Sequence, residues 1–164
     1  MALTVEDGTI VSGADSYVTL AEYQEYGAAR GWTLGDADAD DEKNLRRGFD
    51  AINRKWEYIG EKVDPIYQQP AFPRYIIKDR FEYVVPANEI PWQVKDAQCE
   101  LAYLIQGGLD LFETFSGAVK REKIDVIEVE YAGGGQGMSR AIAVEGLLRP
   151  FLSAGPGQSA MQRR

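Results

Sequence analysis

Histidine is absent from this 164-residue chain and cysteine occurs once. Without histidine there is no Ser–His or Cys–His nucleophile pair, no histidine metal site, and the commonest general base is missing. A single cysteine, Cys99, excludes an internal disulfide framework and fits a reducing compartment or indifference to redox. It falls inside a helical pattern with no histidine to activate it, and reads as a half-buried small residue. No apolar run approaches the roughly 18 residues of a transmembrane helix. The N-terminus lacks the basic-then-apolar order of a signal peptide, so neither a membrane span nor a leader is expected. Bases are nearly missing from the first quarter: residues 1–42 hold ten acids against Arg30 alone, while the remainder holds sixteen acids and seventeen bases. A net charge of −8 opposes non-specific DNA binding, which needs clustered Lys and Arg. It suits solubility, or a surface that DNA passes without sticking.

What is present points to one mainly helical domain. The length suits a single core, and 45% apolar residues are ordinary for a globular chain. Thr19 with Glu22 spells a capping box, and Val18 with Tyr23 a hydrophobic staple, so a first helix starts there and stops at Gly31. The carboxylates from Asp36 to Glu42 open a second helix, whose stripe Leu45, Phe49, Ile52 and Trp56 runs until Gly60. A third begins near Pro91, with Val94, Ala97, Gln98, Leu101, Leu104 and Ile105 on one side and Gly107-Gly108 as its stop. Residues 141–152 read as a fourth, weakened by Pro150. The expected fold is therefore a bundle of about four helices with a small β element near 124–131. The domain is expected to span 1–152, with strand and loop at 119–137, followed by a flexible tail at 153–164 rich in Gly, Pro, Ser and Gln.

The clearest strand signal is the alternation Ile127, Val129, Tyr131 against Glu128 and Glu130, entered through the charged cluster Lys120-Arg121-Glu122-Lys123. A lone strand lacks a sheet. It must pair with a weak local strand (residues 3–11 or 81–85) or with another copy. Between the second and third helices, Pro65, Pro70, Pro73 and Pro86 keep residues 61–90 extended. An ordered excursion of that length has a packing or contact role. Its Tyr67, Phe72, Tyr75, Phe81, Tyr83 and the following Trp92 interleave with Arg74, Lys78 and Arg80. Such a mixture can stack single-stranded nucleic acid, supply protein-interface hot spots, or cover its own core, and all three uses stay open.

Catalytic motifs are not found. Asp36, Asp38 and Asp40 imitate the start of a calcium loop, but Asp41 replaces its glycine and Arg47 its final glutamate. Gly133 to Gly137 has neither Gly-Lys-Ser/Thr nor GxGxxG spacing, which leaves a mobile loop. Paired carboxylates such as Glu128 and Glu130, which share a strand face, could serve hydrolysis, although exposed strand carboxylates are far commoner. No enzyme activity, metal or cofactor is expected.

Several stretches, in order, carry a resemblance: Val5-Glu6-Asp7-Gly8-Thr9, Gly13-Ala14-Asp15-Ser16-Tyr17-Val18, Phe72-Pro73-Arg74, Ile90-Pro91 with Val94-Lys95 and Glu100-Leu101-Ala102, and Val119 to Lys123 leading into Ile127 to Tyr131. Together they resemble a family of small tailed-bacteriophage proteins from the head-morphogenesis region, often labelled DnaT-like single-stranded DNA-binding. In structure that family looks like head–tail connector adaptors. The resemblance implies a structural virion protein: a homo-oligomeric ring (twelve copies) under the portal, continuing the DNA channel and meeting the next neck or tail protein. Double-stranded DNA would pass through its lumen without sequence-specific binding. It would be located in the virion neck, and in host cytoplasm during assembly. Single-stranded DNA binding is the alternative. The interface residues expected on this reading are Lys120, Arg121, Lys123, Ile127, Val129 and Tyr131, then Phe72, Arg74 and Tyr75, and towards the tail Phe151, Arg163 and Arg164.

Overall fold

The computed structural model describes residues 2–75, 77–79, 81–109, 122–124, 127–129 and 143–153. Helix α1, Leu20–Ala29, starts at the capping box: Thr19 Oγ1 accepts from Glu22 N at 3.1 Å, and Glu22 Oε2 accepts from Thr19 N at 2.6 Å. Two of the backbone donors at the helix start are thereby satisfied. Helix α2, Asp38–Lys55, carries acids in its first turn and Arg54 and Lys55 in its last, as the helix dipole favours. It ends before the expected Gly60, because Trp56 already adopts an extended conformation (φ −118°, ψ 148°). Helix α3 runs Trp92–Gln106 behind Pro91. A shorter helix, α4, covers 143–148. Pro150 then sits in a 3-10 turn, Arg149–Phe151, so the helix expected through Leu152 stops where a backbone donor is lost. The protein is mainly α with a small β element, as expected.

The core lies on two sides of the α2–α3 pair. One cluster gathers Phe49 and Ile52 of α2, Val94 and Leu101 of α3, and Val144 and Leu148 of α4 around Phe72 and Phe151. The other packs α1 against the same pair through Val18, Tyr23, Leu45, Cys99 and Ala102. Each fully buried Leu, Ile or Phe contributes about 1.5–3 kcal/mol. The two long helices approach closely at Gly48, where a Cβ would stand 3.1 Å from the Gln98 carbonyl oxygen.

Two small antiparallel ladders decorate this bundle. Glu61–Lys62 (β1) pairs with Arg74–Tyr75 (β2). Glu122–Ile124 (β3) pairs with Ile127–Val129 (β4), with Lys123 opposite Glu128. This corrects the expectation of a lone strand over 124–131: its partner is its own charged lead-in. A partner two residues away closes with the least loop entropy, which favours it over distant segments or a second chain. The other candidate partners are engaged elsewhere, since Val5 bridges Ser16 and Val84 bridges Lys78.

The N-terminal arm is ordered by a buried carboxylate. Glu6 is fully buried and accepts from Gly8 N, Ile10 N and Val11 N at 2.8–3.0 Å. Gly8, at φ +107°, lies so close to the 86–89 turn that a Cβ would fall 2.2 Å from the Asn88 oxygen. The Val5-Glu6-Asp7-Gly8 stretch is therefore a structural clasp.

Candidate functional site

The excursion from 56 to 92 is a self-satisfied strap. Arg74 donates to four backbone carbonyls, those of Tyr58, Ile59, Gly60 and Ala71, at 2.6–3.2 Å. Burial pulls its pKa down, the expected sign for a cation withdrawn from water without a carboxylate partner. Lys62, likewise lowered by burial, donates to the carbonyls of Gln68 and Gln69. Gln68, itself buried, donates to the carbonyls of Pro70 and Pro73. Asp79 Oδ1 accepts from Phe81 N and Tyr83 N, which shapes the tip between Lys78 and Val84. Beneath the strap, the Tyr17 hydroxyl donates to Asn53 Oδ1 at 2.7 Å and accepts from Phe72 N at 3.2 Å.

Because the strap needs so few side chains to hold itself, it turns the rest outward. Tyr67, Phe81 and Tyr83 are 68–79% exposed, and Tyr75 and Trp92 face solvent as well. Leaving five aromatic rings in water forfeits their burial free energy, and one of them, Trp92, lines a groove. Lys78, Asp79 and Glu82, the start of α3 and residues 146–150 enclose an open groove of about 450 Å³. Trp92 and Ile59 supply apolar wall, and the charged lining is mixed, with Lys78 and Arg149 beside Asp79 and Glu82. Lys78 pairs with Glu82 at 2.8 Å across a solvent-exposed contact, a pairing worth little and easily exchanged. Helix α3 begins without a side-chain cap or an acid in its first turn, so its positive end adds to the field at Trp92.

The expected interface residues are scattered. Phe72 and Phe151 are fully buried and in edge-to-face contact with centroids 5.9 Å apart, so their rings close the core and present no surface. Arg74 pins the strap. Tyr75 is exposed on β2. Lys123, Ile127 and Val129 fall in the β3–β4 hairpin. Lys120, Arg121, Tyr131, Arg163 and Arg164 lie outside the described residues, as do Glu130, Gly133 to Gly137 and the tail beyond Ser153. Of the acids at the start of α2, Asp41 turns inward to accept from Gly35 N at 3.0 Å. No group of three or more potential metal ligands is formed among the described residues, and none of their helices is long and apolar enough to cross a membrane. Sequence reasoning missed Gln93, Arg149 and Ile59 as groove residues. Ile59 and Arg149 are remote from α3 in the chain, and only the fold brings them to it.

The bundle and the groove define a small, mainly α-helical protein with a solvent-facing aromatic surface. Residues 1–164 match the family model described as "Putative DnaT-like ssDNA binding protein", and the chain belongs to that family. No curated protein and no solved structure matches it. The family match corrects the head–tail adaptor reading: it supports the single-stranded DNA-binding alternative, and nothing in the comparisons supports a virion, neck or portal-binding role.

Proposed function

We propose that this chain is a non-catalytic single-stranded DNA-binding protein whose contact surface is the aromatic face of the strap and the adjoining groove. The observation that carries this reading is the exposure of Tyr67, Tyr75, Phe81, Tyr83 and Trp92, with Trp92 sharing one groove with Lys78 and Arg149. Aromatic faces stack unpaired bases of any sequence, at about 1–3 kcal/mol per base, while cations track the phosphates. A duplex offers no free base faces, and the ten acids of residues 1–42 repel its denser charge. With a net charge of −8, stacking supplies most of the affinity and selects single strands.

The test is a titration of the full chain with a fluorescently labelled 15-mer single strand and the matching duplex at low salt. Saturable binding of the single strand with quenching of tryptophan emission is the expected result. Absence of binding at low salt, or equal binding of the duplex, overturns it.

A further inference from the structure

We infer that the groove beside Trp92 reads the identity of one base, selecting adenine in a single strand. This rests on the single-strand reading and adds to it a base preference. The observation is Gln93. It lies directly after Trp92 in the first turn of α3, is only 4% exposed, and lines the groove. Its side-chain amide has no hydrogen-bond partner among the described residues, and neither amide atom is sealed away from the groove as a buried orphan. A carboxamide this enclosed is normally paired by protein, as Gln68 and Gln98 are here. Left open at the wall of a groove, it is a donor–acceptor pair awaiting a ligand.

The surrounding chemistry names the ligand. An amide pairs with adenine in two bonds: its oxygen accepts from the 6-amino group while its nitrogen donates to a ring nitrogen. Asp79 and Glu82 line the same groove and also accept hydrogen bonds. They favour a base that presents an amino group and disfavour thymine, which presents carbonyl oxygens to them. Trp92 offers the stacking face, and a purine covers more of it than a pyrimidine. Lys78 and Arg149 are placed for the flanking phosphates. A volume of about 450 Å³ is within the range of clefts that hold one small ligand, so a single nucleotide is read and its neighbours stack on the outer aromatics without discrimination.

The test compares three labelled oligonucleotides with the intact protein: oligo(dT), the same strand with one central adenine, and the same strand with a central purine lacking the 6-amino group. The adenine strand is expected to bind on the order of tenfold tighter than oligo(dT), and the purine strand to lose most of that gain although its stacking surface is unchanged. Gln93→Leu and Gln93→Asn should abolish the adenine preference, read within each variant as the ratio of adenine-strand to oligo(dT) affinity. Equal binding of all three strands, or a preference that survives in a folded Gln93 variant, overturns the inference while single-strand binding stands. Free dAMP displacing the strand at equimolar concentration overturns it in favour of a mononucleotide site. Failure of every strand to bind defeats the single-strand reading itself.

Discussion

The side-chain oxygen of Gln98 accepts a 2.7 Å hydrogen bond from the backbone amide of Tyr17, 81 residues earlier in the chain. Its nitrogen donates in turn to Ser16 Oγ at 2.8 Å and to the Leu45 carbonyl at 2.9 Å. One fully buried amide thereby joins the N-terminal arm, α2 and α3. Tyr17 continues the network through its hydroxyl to Asn53 and Phe72. The strap that carries the aromatic face is thus referenced to the same interior point as the helices.

Replacing Gln98 by leucine keeps the volume and leaves the Tyr17 N–H without its partner, while Ser16 Oγ keeps its bonds to Val18. A buried group left unsatisfied costs about 1–3 kcal/mol. We expect Gln98→Leu to lower unfolding free energy by about that amount in urea titrations, with an unaltered m-value. A loss below 1 kcal/mol would show that the network is not what joins these elements.

Arg74 separates structure from function on the same strap. Its guanidinium satisfies four carbonyls, and hydrogen bonds to charged groups contribute about 1.5–3 kcal/mol. Arg74→Gln should destabilise by about that amount and, at temperatures where it remains folded, bind single strands with an unchanged salt slope. A shallower slope would instead place Arg74 on the phosphates.

These two residues also show how far the sequence could be read. The capping box at Thr19 and Glu22, the stripe of Leu45, Phe49 and Ile52, and the apolar side of α3 follow from periods of three and four, and the fold keeps them. Gln98 was legible as a position on that side of α3, but its partners 53 to 82 residues away were not, because hydrogen bonds across elements leave no local period. The aromatics of the strap were equally opaque. Phe72 points in and Phe81 points out, yet both stand among prolines, charges and other aromatics without helix or strand alternation. The charged cluster before Ile127 hid a strand, since Glu122 and Lys123 are poor strand formers that pairing overrides. Gln93 was invisible as a site: a polar residue after an N-terminal tryptophan resembles any helix start.

Trp92 is 57% exposed and touches the groove. Truncation there removes a stacking face at little expense to the core. Trp92→Ala should weaken single-strand binding by about 1–3 kcal/mol and shift stability by less than about 0.5 kcal/mol, the usual range for surface sites. Fluorescence anisotropy with a labelled 15-mer and a urea titration read the two effects separately. Unchanged affinity would remove Trp92 from the contact surface.

Salt dependence reports how many phosphates are met. Lys62 and Arg74 are occupied by carbonyls, which leaves Lys78 and Arg149 as the cations of the groove. With about two phosphates neutralised, log K should fall against log salt with a slope of about −1.4, given roughly −0.7 per phosphate for single strands. Arg149→Gln should halve that slope. A slope steeper than about −4 would require a basic surface that these residues do not provide.

Asp41 supplies a pH signature of stability. Its side chain is buried at the start of α2, and burial raises its pKa despite the hydrogen bond from Gly35 N, with Asp38 and Asp40 adding like charge. The folded state therefore favours the protonated form. The stability contributed by this group is present in full below the unfolded value near 3.8 and is lost as pH rises through the folded value. At neutral pH the ionised carboxylate is a net cost. Asp41→Asn retains an oxygen for Gly35 N and removes the charge, so it should be more stable than the parent at pH 7. That advantage should shrink as pH falls through the folded pKa and disappear below about 3.8, where the parent is protonated as well. Urea midpoints measured for both proteins from pH 3 to pH 8 read this directly. A variant less stable than the parent at pH 7 would mean that the charge at Asp41 supports the helix start more than its burial opposes it.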